Sequence, residues 1–140
     1  MTETIFDRFP KPPCAVLLGW ELIEADAAAG RVRIRFQGRP EFLNPAGFVQ
    51  GGILAAMLDD TMGPAALVAS GGELYTATID LQVSYLAPAR PGPLIGEAQV
   101  VQLGKTIGFV EGTLTDAAGV MVARARTSAR LVPTGRLAAA

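Results

Sequence analysis

The sequence predicts an α+β domain, a curved antiparallel sheet wrapped around one long central helix. Three observations predict it. Residues 51–70 form a long apolar helical stretch, opened by Gln50-Gly51-Gly52 and free of charge until Asp59 and Asp60. Residues 75–131 divide into four strand-like segments separated by turn signals. Half of the 140 residues are apolar and only 18% are charged, so a helix this apolar has to be covered by a sheet.

The elements follow in order. Residues 1–13 read as an arm, because Pro10, Pro12 and Pro13 disfavour regular structure. Residues 14–18 suit a short helix stopped by Gly19. Residues 20–24 suggest a strand. Arg31-Val-Arg-Ile-Arg-Phe36 alternates charged and apolar, the pattern of a half-buried strand. Residues 38–47 read as loop.

Within the helix, Leu54, Met57, Leu58, Thr61, Met62 and Ala65 make a bulky face expected in the core. Asp59 lies instead on the side of Gly52, Ala55, Ala56, Gly63 and Ala66, where small residues admit close approach. Pro64 removes a helical hydrogen bond and crowds the carbonyl of Asp60, which predicts a kink there.

In residues 75–86, alternation puts Ala77, Ile79, Leu81, Val83 and Tyr85 on one face. Thr76, Thr78, Asp80, Gln82 and Ser84 take the other. Residues 94–103, 106–115 and 120–131 follow, the last with Arg124, Arg126, Ser128 and Arg130 on one side. Short connections predict that the four segments run as an antiparallel meander. Residues 133–140 read as a frayed tail. A single domain is expected over residues 1–140.

Composition excludes several functions. The net charge of −1 gives no reason to expect nucleic acid or an anionic membrane as partner. No apolar run is expected to reach the roughly 20 residues that span a bilayer. The N-terminus lacks a basic region followed by an apolar core. The one cysteine, Cys14, is expected to be a small buried hydrophobe in a cytoplasmic protein. There is no histidine, which removes Ser-His-Asp and Cys-His catalysis. One cysteine without histidine argues against a zinc site. Neither a metal nor a cofactor is expected. Acid–base chemistry then falls to carboxylates, lysine, tyrosine or bound water.

The chemistry is concentrated at the helix. Its start offers unpaired N–H groups and a positive dipole end. A carboxylate on an apolar helix is costly without a partner or a task. A carbonyl-polarising site plus a base is the pairing these features suggest. Gly51 and Asp59 are eight residues apart, which is about 12 Å along the axis. A carbonyl held by one and a water held by the other must meet within about 3 Å. One helix cannot do this, but two antiparallel helices across a two-fold can, so a homodimer with two equivalent sites is expected.

With those residues in view, the chain resembles the hotdog-fold acyl-CoA thioesterases of the phenylacetate-degradation (PaaI-like) group. The likeness runs from about Leu18 to Val132. Asn44, Gly47, Gln50-Gly51-Gly52 and Asp59 carry it, supported by Val83-Ser-Tyr-Leu-Ala-Pro88, Gln102-Leu-Gly-Lys-Thr106 and Asp116-Ala-Ala-Gly119. The resemblance implies hydrolysis of acyl-CoA to free acid and CoA in a homodimer, commonly paired into a tetramer. It implies that Asn44 orients water or thioester, that the Gly51 N–H polarises the C=O, and that the partner's Asp59 serves as base or nucleophile. Thr78 falls where relatives use a serine or threonine to position water. Gly47 and Gly52 shape the loop and helix start around the substrate. Gly104, Lys105 and Thr106 are the implied contacts for CoA phosphates.

One departure stands out: Gln50 occupies the usual histidine position. A glutamine amide still donates and accepts hydrogen bonds but does not titrate. That opens a second function, an acyl-CoA-binding module without turnover. A hotdog dehydratase fits less well, since those pair a histidine with an acid.

Structural roles compete for the same residues. The Gly-Gly pair serves equally for tight helix entry, and Asn44-Pro45 is an ordinary turn starter. Asp59 could be a structural ion-pair partner. Asp60 ranks behind Asp59 as base and is expected to be a solvated or interface charge. Threonine on a strand's polar face, as at Thr78, is common. Phe48, Met57 and Met62 fit core better than acyl pocket.

Overall fold

The computed structural model describes residues 3–137. Six strands form one antiparallel sheet: β1 (Glu21–Asp26), β2 (Arg31–Gly38), β3 (Leu74–Tyr85), β4 (Gly92–Leu103), β5 (Ile107–Asp116) and β6 (Met121–Pro133). A short helix, α1 (Pro13–Leu18), precedes them, and the long helix α2 (Gly51–Ala69) lies between β2 and β3. The sheet curves around α2, the arrangement expected of a hotdog fold.

The strand order corrects the meander. It is β1-β2-β4-β5-β6-β3, so β3 pairs with β6 and β4 pairs with β2. Only β4, β5 and β6 run as a meander. Residues 86–91 therefore carry the chain from an edge strand back to the middle of the sheet. A turn-rich connection signals a change of direction, and it does not specify which strand the chain meets next.

The helix is positioned by close contact. Leu54, Met57, Leu58, Thr61, Met62 and Ala65 are buried, as their spacing requires. Ala66, from the small-residue face, is buried with them. Gly96 and Gly112 let α2 approach the sheet: a Cβ at Gly96 would collide with Thr61 Oγ1, and one at Gly112 would come within 3.0 Å of Met62 Cγ. From the sheet, Val32, Ile34 and Phe36 of β2 and Leu94, Val110, Leu114 and Val122 close the core.

Pro64 does not interrupt α2. A proline in a helix interior costs about 3 kcal/mol. Each fully buried Leu, Met or Val returns roughly 1.5–3 kcal/mol, so packing of Leu54, Met57, Leu58, Met62 and Val68 outweighs it. The backbone consequence is local. Pro64 has no N–H for the Asp60 carbonyl, and the Trp20 indole N–H donates to that oxygen instead, at 3.1 Å.

Strict alternation fails on β3. Ile79 has no pairing partner, because the register slips between Thr78 and Asp80. An extra residue flips the faces. Thr76 and Thr78 therefore point toward α2, on the same side as Leu81, Val83 and Tyr85. Ile79 is 61% exposed.

Other expectations also need correcting. The N-terminal arm holds a 3-10 turn at Ile5–Arg8, and Phe6 packs edge-on against Trp20 with centroids 5.2 Å apart. The loop after β2 contains a 3-10 turn at Pro40–Phe42, and the tail holds another at Thr134–Arg136; residues 138–140 lie outside the described residues. Cys14 is exposed rather than buried. The 19-residue α2 is long and apolar enough to cross a membrane by length and composition, but its partly buried apolar side belongs to the core of the sheet.

Candidate active site

Asp59 leaves α2 on the side facing β3. Thr78 Oγ1 donates to Asp59 Oδ1 at 2.9 Å. The bulge at Ile79 brings Thr78 to that side, so the polar contact depends on an irregularity in the strand. A hydroxyl whose proton is directed at one carboxylate oxygen leaves the second oxygen for water.

Both residues line a cavity of about 840 Å³. Asp60, Trp20, Phe6 and Phe9 contribute to its wall. Asp60 is not the solvated charge the sequence suggested. Its Oδ2 is buried without a hydrogen-bond partner among the described residues. Burial first, and the neighbouring Asp59 charge second, push its carboxyl up to about 7. Cys14 also borders the cavity, and partial burial followed by the charges of Asp60 and Asp59 pushes its thiol up. A raised thiol is a poor nucleophile.

The helix start lies apart from this cavity. Gln50 is the N-cap residue, yet its side chain makes no cap bond. Its own N–H donates to Phe42 O at 2.8 Å. Tyr85 donates its hydroxyl to Gly51 O at 2.7 Å, and a Cβ at Gly51 would come within 3.2 Å of the Tyr85 ring. A Cβ at Gly52 would meet nothing within 4 Å. A side chain at position 51 would thus press on Tyr85, while position 52 is open.

Asn44 organises the preceding loop. Its Oδ1 accepts from Ala46 N–H at 3.0 Å and Phe48 N–H at 3.1 Å. Gly47 completes the turn with φ +85°, a region that favours glycine. Gly104, Lys105 and Thr106 form the exposed β4–β5 turn, closed by Gly104 N–H to Ile107 O at 2.8 Å. Met57 and Met62 are core; Phe48 is half-buried with Arg90 over its ring at 5.6 Å.

Within one chain the structure therefore joins Asp59 to Thr78. It does not bring Asn44, Gly47, Gln50, Gly51, Gly52 or the 104–106 turn into their cavity. Sequence reasoning missed Trp20, Phe6 and the burial of Asp60. One signal was available: Asp60 precedes Pro64 by four, so its carbonyl needs a donor from outside the helix.

A helix start without a side-chain cap bond and a threonine-held carboxylate thus lie on the same long helix of a hotdog fold. Residues 46–132 match the thioesterase superfamily, and the chain belongs to it. Human acyl-coenzyme A thioesterase 13 is 30% identical over 107 residues, covering 75% of this chain and 76% of that protein. A Halobacterium salinarum relative bearing an esterase name is 42% identical over 91 residues; the match spans 61% of this chain and 60% of that protein's length. Among solved structures, a phenylacetic acid degradation-related protein of the thioesterase type from Ralstonia eutropha is 32% identical. It superposes with a TM-score of 0.84 over 90% of this chain and 95% of that one.

Proposed function

We propose that this protein hydrolyses acyl-CoA thioesters to the free acid and CoA. The observation that carries this is the Thr78–Asp59 hydrogen bond at the cavity wall. Asp59 takes a proton from water as the oxygen attacks the thioester carbon. The developing oxyanion is received by the Gly51 N–H at a helix start, where the dipole favours negative charge. The C–S bond then breaks. A thiolate leaves readily, so a carboxylate base suffices without histidine.

The Gly51 N–H belongs in this reading to the partner of a homodimer, and pairing of dimers into a tetramer is part of the same proposal. Support comes from the separation of the two groups along α2. Further support comes from β3, an edge strand of the sheet that exposes Ile79. Asn44 keeps its amide N–H₂ end for water or thioester, since its oxygen serves the loop. Gln50 offers a non-titrating hydrogen bond beside it, and Gly47 and Gly52 leave room for the substrate. Gly104, Lys105 and Thr106 are assigned to CoA phosphates. A cytoplasmic location accompanies this reading, on the strength of one unpaired cysteine.

The test is release of CoA thiol from a panel of acyl-CoAs, with Asp59→Asn alongside. Turnover by the native protein that vanishes in the variant is the expected result; full activity in the variant would sink the assignment. Gln50 favours one other reading, an acyl-CoA-binding module. CoA esters that raise the melting temperature without being hydrolysed would select it.

A further inference from the structure

We propose that the cavity between the N-terminal arm and α2 is the acyl-binding pocket, that Phe6 and Phe9 form its size-setting wall, and that it takes uncharged apolar acyl groups. This rests on the thioesterase reading above and adds the ligand class and the residues that select it.

Three observations carry the proposal. The cavity's volume of about 840 Å³ falls in the range of small-molecule sites. Asp59 and Thr78 stand on its wall, so a group seated there has its thioester end within reach of the base. Phe6, Phe9, Trp20, Pro64 and Leu67 give it an apolar lining.

Charge decides which end of the substrate enters. Asp7 and Asp59 place carboxylates on the lining beside Asp60, and among the described residues Lys11 is the single lining cation. Lys11 is already engaged: its Nζ donates to Trp20 O at 2.8 Å and lies 5.7 Å from the Trp20 ring centre. Phosphates of CoA would meet carboxylates here, and so would an acyl group ending in its own carboxylate. An uncharged acyl tail meets neither penalty.

The arm is held in place as a wall. The Thr4 N–H donates to the Asp7 carboxylate and the Asp7 N–H to Thr4 O at 3.0 Å, closing the first 3-10 turn. Ile5 and Arg8 close over Gly72, where an added Cβ would come within 3.1 Å of the Arg8 guanidinium. Phe6 packs on Trp20, and Trp20 in turn supplies the hydrogen bond that the Asp60 carbonyl loses to Pro64. Arm, strand entry and helix are thus one connected wall.

Trp20 is the only tryptophan in the chain and reports directly on the pocket. Hexanoyl-CoA added to the Asp59→Asn protein is expected to change Trp20 emission saturably, and succinyl-CoA at the same concentrations is not. With Asp59 intact, a Phe6→Ala/Phe9→Ala variant is expected to lower the hexanoyl-to-acetyl ratio of kcat/KM about tenfold. A Phe9→Trp variant, which fills space without removing the wall, is expected to lower the same ratio by excluding the longer tail. Far-ultraviolet circular dichroism checks that each variant is folded.

Turnover with an unchanged ratio in both variants and a silent Trp20 overturns the pocket and leaves the thioesterase reading standing. A saturable Trp20 response without turnover on any ester overturns the thioesterase reading and retains the pocket. Succinyl-CoA performing as well as hexanoyl-CoA overturns the ligand class. Absence of both turnover and response overturns both proposals.

Discussion

The start of α2 and its middle solve opposite problems. At the start, Gln50 makes no side-chain cap and Gly52 faces open space. From Asp59 to Pro64, the carboxylates sit against an apolar wall, and even the carbonyl freed by Pro64 finds a donor in Trp20. The first region suits a negatively charged group, because unpaired N–H groups at a helix end favour one. The second is organised within one chain. In the proposed mechanism this difference means that the base and its acyl wall are built locally, while the oxyanion contact is supplied by assembly.

Breaking the locally built half should have the largest effect. Asp59→Asn is expected to lower kcat about a thousandfold, the scale of a lost general base, read by thiol release. Its circular dichroism spectrum should match the native protein, since Asp59 contributes no core packing.

Asp60→Asn sharpens the comparison by measuring what the middle of the helix sacrifices. Folded Asp60 keeps its proton up to about pH 7, whereas an unfolded aspartate loses it near 3.9. Across that window the unfolded state binds fewer protons, so native stability falls as pH rises. The variant should be more stable than the native protein by roughly 2–4 kcal/mol at pH 8. The gain should shrink through pH 7 to 4 and vanish below it. Urea unfolding across this range would reveal a pH-independent difference if the carboxyl were solvated.

Thr78→Val removes the hydroxyl that holds Asp59 while keeping the side chain's shape. Loss of about 1 kcal/mol of positioning corresponds to roughly fivefold in kcat, with KM little changed. An equal rise in KM alone would mean that Thr78 binds substrate rather than orienting the base.

Tyr85→Phe tests the other end. It removes the hydroxyl on Gly51 O without opening a cavity. A few-fold loss in kcat, on the order of 0.5–1 kcal/mol, is expected if that contact fixes the helix start. A matching drop in melting temperature with unaltered kinetics would assign Tyr85 to stability alone.

Much of this was legible from the residues in order. The helix and all six strands stand within a few positions of their expected places, because 3.6- and 2-residue periods are local properties of the chain. Gly19, in the left-handed region at φ +71°, ends α1 as expected. Arg124, Arg126 and Arg130 are exposed along β6, as alternation requires. Asp59 was also visible, as a charge out of place on an apolar helix.

What the tertiary structure decided lies where one segment depends on another far away. The order β1-β2-β4-β5-β6-β3 is a choice of hydrogen-bonding neighbours, and turn residues carry no record of it. The slip at Ile79 reverses a face only once β6 fixes the register on both sides. Asp60 reads as an ordinary surface acid until the arm, Trp20 and α2 close around it and remove its water. Sequence by itself determined the elements and the residue types able to do chemistry. Their solvent exposure, facing and partners were decided by packing, because desolvation and pairing belong to residues that meet only in the folded chain.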